Sequence, residues 1–457
     1  MATNRFVQHD QLERDIRAGT IDTVLAVFSD HQGRLVGKRT EGQFYLDEVA
    51  HHGTENCNYL IACDIDNEPL PGFRFASYDK GYGDMRAVVD PHTVRYLPWI
   101  DRTALVMCDL VDVDTDGPIA VSPRQILKDQ VAKATAAGYV AMVGSEIEFY
   151  LFKEGFDELG ARNYQDLTPN GAFFEDYHIL QTTKEEDVVG ALRRHLTAAG
   201  LPVEFTKGEA GRGQHELNLT YQRAVEMADA NALFKNATKE IAHQHGKSAT
   251  FMAKFDFAET GSSGHIHSSL WSPDGATSLM AGDGAHHMSD TFRWYLGGLI
   301  ATAREFALMF APTINSYKRF QLGSWAPTAV AWGTDNRTLG FRIVGHGKSM
   351  RVESRIPGSD MNSYHSFAAT IAGGLYGIAN KIEPPEPYDG NGYSAADLTR
   401  IPASLPEALE LWRRSDIARQ CFGDDVHHHV ANFAEQEWLA FNRTVSDWER
   451  RRYFERI

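Results

Sequence analysis

The sequence predicts an α+β protein in two parts, a small β-rich N-terminal part and a larger part that mixes strands and helices. Three observations carry this. Short β-type runs crowd residues 83–113, broken by Asp90-Pro91 and Pro98-Trp99. Residues 114–123, rich in Asp, Gly and Pro, then read as a linker. Beyond it, strand and helix patterns alternate irregularly, unlike the regular alternation of a doubly wound parallel sheet. The boundary falls near residue 115, giving units 1–115 and 116–457.

Taken in order, residues 10–18 read as a helix. Residues 23–28 (TVLAVF) are a β-branched, apolar run and read as a strand. Residues 29–33, with Asp30 and Gly33, read as a turn into a second strand over 34–39. Ser122-Pro123 opens a helix over 124–137, with proline in the first turn, where its missing N–H costs no hydrogen bond. In the larger part, strands are expected over 142–152, 216–221, 264–271, 338–344 and 350–356. Helices are expected over 185–199, 221–245, 289–311, 363–382 and 436–454, and a surface loop over 390–406. There is no internal repeat and no low-complexity tract.

Composition narrows the functional class. The 457 residues carry 45 Lys and Arg against 61 Asp and Glu, a net charge of −16. That balance disfavours nucleic acid and anionic membrane as partners. No apolar run approaches the roughly 18 residues of a membrane span. The opening residues have no apolar core of the signal-peptide kind. Four cysteines (Cys57, Cys63, Cys108 and Cys421) form no CxxC pair, as expected of a reducing compartment. A cytoplasmic enzyme is the expectation.

Side chains two apart on a strand share a face. Glu146 and Glu148 therefore face one way. So do Arg351, Glu353 and Arg355, and so do His265, His267 and Ser269. Each segment alone would look the same on a solvated strand face. Glu209 and Glu216 flank a tight glycine turn, Gly211-Arg212-Gly213-Gln214, that lacks the Lys-Ser/Thr of a phosphate loop. Five glutamates and one histidine gathered in one cavity would raise one another's pKa unless cations compensated. Oxygen ligands with one imidazole suit Mg²⁺ or Mn²⁺. Arginines 319, 337, 342, 351 and 355 suit carboxylates and phosphates, and together with acidic metal ligands point to phosphoryl transfer from a nucleotide. Paired carboxylates alone also allow a glycosidase, which the arginine set disfavours. Two features are set aside. His427-His428-His429 would diverge on a helix, and Gly208–Gly213 lacks the strand–glycine–helix setting of a dinucleotide site.

In this order the segments resemble the glutamine synthetase family. The resemblance runs through Gly144-Ser-Glu-Ile-Glu-Phe149, Glu209-Ala-Gly-Arg-Gly-Gln-His-Glu216 and residues 254–270. It continues through Asn315-Ser-Tyr-Lys-Arg319, Asp335-Asn-Arg337 and Arg351-Val-Glu-Ser-Arg355, and covers nearly the whole chain. It implies a small N-terminal β-grasp domain before a large catalytic domain. It also implies rings, usually two stacked hexamers, with active sites at subunit junctions. The implied reaction has two steps: ATP phosphorylates the γ-carboxylate of glutamate, and an amine attacks the γ-glutamyl phosphate.

The resemblance further implies roles. Glu148, Glu209 and Glu216 would hold one divalent ion and Glu146, His265 and Glu353 a second, with two or three ions per site. Arg319 and Arg355 would bind glutamate, with the Gly261 backbone at its amino-acid end, and Arg337 and Arg342 would stabilise the transferring phosphoryl group. Glu204, Tyr221, His267, Ser269, Lys348 and Arg351 match nucleotide-side positions. Asp64 or Asp66 would reach the amine of the neighbouring subunit. Tyr393 lies near the position of a tyrosine that some bacterial members adenylylate, in poorly matching surroundings. Two departures stand out. Thr260 replaces the asparagine usual before the glycine. Gly323-Ser-Trp-Ala-Pro327 replaces the flap Pro-Gly-Tyr-Glu-Ala-Pro, so Trp325 stands where a glutamate binds and deprotonates ammonium. An indole offers only an N–H donor. The expectation is therefore a glutamate–amine ligase that makes a γ-glutamylamide, with glutamine synthetase itself or an inactive ring-forming relative as the alternatives.

Overall fold

The computed structural model describes residues 6–457, so the opening segment, read as lacking a leader, begins outside the described residues. Among these, the strands form two sheets, of six and nine strands, on either side of residue 115. In the first, Thr23–Ser29 pairs antiparallel with Leu35–Glu41 and parallel with Thr103–Asp112. Asp84–Val89 and Thr54–Cys57 extend the other edge, and Arg95–Tyr96 adds to Thr103–Asp112. The strand Thr23–Ser29 is buried over six of its seven residues, as its unbroken apolar run requires of a central strand.

The second sheet runs Trp332–Thr334, Phe341–Val344, Arg351–Ser354, Gly264–Trp271, Val140–Phe152, Gln214–Leu219, Val203–Gly208. Only the Trp332–Thr334 and Phe341–Val344 pair is parallel. The chain is thus α+β. Val140–Phe152 also takes the short strands Gln222–Arg223 and Ser248–Thr250. The helices Pro123–Ala136, Ala224–Gln244, Asp290–Thr302 and Ser363–Asn380 pack together. Asp290–Thr302 crosses Ser363–Asn380 at backbone contact: a Cβ on Gly298 would stand 2.2 Å from the Gly373 carbonyl, so only glycine fits.

Several elements differ from the sequence reading. The helix expected over 289–311 breaks at 303–306 into Asp290–Thr302 and Ala307–Phe310. All five residues from Phe306 to Phe310 are buried, which a single helix face cannot do. The helix expected over 436–454 starts earlier, as Asp424–Asn442, and a new one, Asp447–Tyr453, follows a capping box between Ser446 and Glu449. The strands expected over 338–344 and 350–356 shorten to Phe341–Val344 and Arg351–Ser354. Val203–Gly208, Leu405–Arg414 and Asp416–Phe422 were not anticipated. The loop expected over 390–406 holds as far as Ser404, which caps the helix that follows. On Asp424–Asn442, His427 bonds to the Trp412 carbonyl while His429 turns into the core beside His31 and Phe73. His427 and His429 therefore diverge. All four cysteines are free. Among the described residues, no helix is long and apolar enough to cross a membrane.

Candidate active site

Strand register assembles the charged groups. Glu148 lies opposite Glu216, which in turn lies opposite Lys207 on the next strand. On the other side, Glu146 lies opposite His265, and Glu353 lies opposite both His267 and Arg342. The six side chains read from the sequence fall into two groups, Glu148–Glu209–Glu216 and Glu146–His265–Glu353. Each group has one ligand atom per residue, all within 4.8 Å of one another. Both groups branch from one strand through the i, i+2 pair Glu146 and Glu148.

The groups are balanced differently. Glu353 is buried, which alone would raise its pKa, but the Arg355 guanidinium at 2.7 Å and His265 hold it down at about 2. Arg342 adds a contact at 2.9 Å. Glu146 is also held below its usual range against burial, by His267 at 2.8 Å and His265 at 3.2 Å. Burial pushes Glu148 up to about 8, with the Glu209 charge adding to it. Burial and the charges of Glu146, Glu209 and Glu148 push Glu216 well above its usual value. One lysine, Lys207, pairs with Glu209. In the other group burial, then Arg355, pulls His265 down to about 4, and its buried Nε2 has no hydrogen-bond partner. An acidic group short of positive charge, beside a neutral imidazole with a free nitrogen, fits hard divalent cations.

Beside this row lies a cavity of about 420 Å³ lined by all six nucleotide-side residues, Glu204, Tyr221, His267, Ser269, Lys348 and Arg351. Trp271 lines it too: its ring stacks on Tyr221 at 5.9 Å and lies 5.5 Å from Lys348 Nζ. The sequence reading missed Trp271, although it shares the strand face of His265, His267 and Ser269. Arg351 donates to His267 Nδ1 at 3.0 Å and so holds the imidazole that faces Glu146.

On the opposite side, Arg319 is buried and donates to the Ile356 and Arg355 carbonyls and to Ser263 Oγ. Gly261 packs on it: a Cβ there would stand 2.8 Å from Arg319 Cγ. The Gly261 carbonyl accepts from Gln214 Nε2, and that of Thr260 from the Tyr150 hydroxyl. Arg342 also bonds Asp335, in whose turn Arg337 sits exposed. Trp325 is 59% exposed, with a left-handed backbone (φ 63°) that a bulky side chain rarely adopts. Its carbonyl accepts from Arg355 Nη2 at 3.3 Å. Asp64 and Asp66 stand apart, in a loop of the N-terminal sheet, where the Asp64 carboxylate accepts from the backbone of Asp66 and Glu68. Among the described residues, no hydrogen bond or ion pair joins either carboxylate to Arg319, Arg337, Arg342 or Arg355.

A third group, Glu175, Glu185 and His215, is fully buried. Glu175 accepts from the Gly213 amide and so braces the turn between Glu209 and Glu216. Its location in a polar loop gave no sequence signal.

These two donor groups on an antiparallel sheet, with a nucleotide-sized cavity on one flank and paired arginines on the other, place the chain in a known class: it belongs to the glutamine synthetase family, whose catalytic domain matches residues 120–453. It is 47% identical to a gamma-glutamylethanolamide synthetase of Streptomyces coelicolor, over 98% of this chain and 96% of that one. It is 36% identical to a glutamate–isopropylamine ligase of a Pseudomonas species, over 97% of each. Among solved structures it is similar to the GmaS–ADP complex, with a TM-score of 0.85 and 26% identity over 97% of this chain and 99% of that one.

Proposed function

We propose that the protein is an ATP-dependent glutamate–amine ligase that makes a γ-glutamylamide from an organic amine. The observation that carries this reading is Trp325: both donor groups are present, while the flap carries an indole in place of a carboxylate. The relatives that act on ethanolamine and isopropylamine support an acceptor that is small and aliphatic.

In this reading Glu148, Glu209 and Glu216 hold one Mg²⁺ or Mn²⁺, and Glu146, His265 and Glu353 hold another, with two or three ions per site. The ions, when bound, neutralise phosphate charge. The nucleoside lies in the cavity of Tyr221, Trp271, Ser269 and Lys348, with Glu204, His267 and Arg351 at its edge. Arg319 and Arg355 orient the carboxylates of glutamate. Its γ-carboxylate oxygen attacks the terminal phosphorus of ATP and ADP leaves, with Arg337 and Arg342 facing the charge that develops. The amine nitrogen then attacks the acyl carbon, phosphate departs and the nitrogen loses a proton. An aliphatic amine arrives mostly protonated, so an acceptor is needed first, and Asp64 or Asp66 of a neighbouring N-terminal unit (residues 1–115) supplies it. This makes the enzyme a homo-oligomeric ring, a dodecamer by family resemblance, working in the cytoplasm.

The test is ADP release with glutamate, ATP, Mg²⁺ and a panel of amines, with products identified by mass spectrometry. Turnover should require both glutamate and an organic amine and should favour small aliphatic amines over ammonium. Glutamine formed from ammonium as efficiently as any γ-glutamylamide overturns the reading.

A further inference from the structure

Glu175, Glu185 and His215 form a cluster that the proposed reaction does not use. All three side chains are fully buried, and one donor atom from each lies within 4.8 Å of the others. Glu175 comes from the loop before the helix Ile179–Thr183, Glu185 from the N-cap of the helix Glu186–Ala198, and His215 from the strand Gln214–Leu219. His215 precedes Glu216 on that strand, so the two side chains leave opposite faces. The cluster thus lies behind the Glu148–Glu209–Glu216 group and apart from it.

Each carboxylate is anchored by one oxygen and presents the other. Oε1 of Glu175 accepts from the Gly213 amide at 2.9 Å, and Oε1 of Glu185 accepts from Asn170 Nδ2 at 2.7 Å. Both Oε2 atoms turn to Nε2 of His215. That of Glu185 is bonded to it, and that of Glu175 faces it at 3.9 Å with no hydrogen-bond partner. Carboxylates oriented in this way by a second hydrogen bond, around one imidazole nitrogen, are the arrangement of metal ligands. Donors held about 2.1 Å from a shared ion at a tetrahedral angle lie roughly 3.4 Å apart, close to the 3.9 Å between His215 and Glu175. The charge balance points the same way. Among the described residues, no lysine or arginine forms an ion pair with either carboxylate, and their shared partner is the one imidazole. Two dry carboxylates are costly without compensation, and a single imidazole neutralises at most one of them. A divalent ion neutralises both.

We infer that Glu175, Glu185 and His215 bind one Zn²⁺, separate from the ions of the reaction. The ion replaces the hydrogen that His215 Nε2 shares with Glu185, and Glu185 draws back to admit it. One imidazole with two carboxylates suits Zn²⁺, whereas Mg²⁺ keeps several waters that a fully buried site does not hold. Bound there, the ion joins residues 170–185 to the strand that carries Glu216 and, through Gly213, fixes the turn from Glu209 to Glu216. The inference goes beyond the ligase reading and does not depend on it.

Full-length protein refolded with Zn²⁺, washed with EDTA and returned to Mg²⁺ should keep about one Zn²⁺ per chain by plasma mass spectrometry, because a buried ion leaves only when the fold opens. Glu175→Gln and Glu185→Gln should each lose it. Glu148→Gln, altered in the catalytic group alone, should keep it. No retained zinc in the unmodified protein overturns the inference. So does zinc that is kept by both cluster variants or lost with Glu148→Gln. If the cluster variants do not fold, anomalous scattering at the zinc edge from crystals of the unmodified protein decides: a peak among the three side chains supports the site, and peaks at the catalytic groups alone overturn it.

Discussion

Trp325 concentrates the difference between this chain and an ammonium-using relative. Ammonium is small, charged and strongly hydrated, and its site needs a carboxylate to attract it and take a proton. An indole removes both charge and base and offers an apolar, π-rich surface to an alkyl group or an alkylammonium. That it holds a left-handed backbone, tied at its carbonyl by Arg355, argues that the flap conformation is imposed by the site and is not incidental packing. Trp325→Glu should therefore lower kcat/KM for the native amine by about tenfold or more and raise it for ammonium, because a general base contributes at least 10²-fold where one is required. Steady-state kinetics with both acceptors checks this, and a variant that keeps its amine preference unchanged counts against the assignment. The flap substitution was legible in the sequence, because a missing carboxylate at an aligned position is a chemical fact. The anchoring of Arg319 on the Ile356 and Arg355 carbonyls was not, because it joins residues more than 30 apart in sequence with no periodic signal.

At the scale of elements, three pieces of the chain meet at a buried histidine junction. His31 comes from the turn after Thr23–Ser29, His365 from the helix Ser363–Asn380 and His429 from the helix Asp424–Asn442. The His31 ring stacks on Phe433 at 3.5 Å and lies 4.9 Å from His365 and 5.9 Å from His429. Asn362 ties the junction by donating to the carbonyls of Asp30 and His31. Burial pulls His365 and His429 down to about 3, and burial followed by the other two imidazoles pulls His31 well below its ordinary value. Because these folded pKa values lie below the unfolded value of about 6.5, the unfolded chain binds more protons under that pH. The junction's stability is thus fully present above about pH 6.5 and is lost as pH falls towards about 3. Each imidazole contributes up to about 1.4 kcal/mol per pH unit within that window. Denaturant melts at pH 7.5 and 5.5 should show the loss, and His365→Phe should shallow it. An identical pH slope in that variant would mean that other groups govern acid stability. The alternating or apolar patterns of Val140–Phe152 and Gly264–Trp271 were readable in advance. Val203–Gly208 was not, because its mixed polar sequence has no alternation and pairs only because Gln214–Leu219 offers an edge.

For the molecule as a whole, exposed apolar surface carries the expectation of an assembly. Phe173, Phe174, Tyr177, Ile179 and Leu180 form one exposed apolar stretch, and Trp448, Tyr453 and Phe454 another near the C-terminus. Apolar surface concentrated in this way marks protein–protein contact. Asp64 and Asp66, meanwhile, are expected to serve the amine of a neighbouring subunit, and among the described residues the Asp64 carboxylate bonds only within its own loop. A head-to-tail contact that delivers them to a neighbour either closes into a ring or runs on as a filament. Light scattering should find a closed oligomer at assay concentration, with specific activity falling as dilution dissociates it. An active monomer refutes the shared-site arrangement.

The sequence by itself determined the chemical inventory: the paired glutamates, the histidine strand, the arginines and the missing flap carboxylate. These are carried by short segments whose strand periodicity decides which side chains share a face. Only the tertiary structure decided how the inventory is divided. Register across four strands, with the turn at Glu209, sorts six ligands into an arginine-balanced group around Glu353 and an undercompensated group around Glu148, and it raises the pKa of Glu148 and Glu216 while lowering those of Glu146, His265 and Glu353. Such outcomes depend on distance and desolvation between residues remote in sequence, and a linear pattern contains neither.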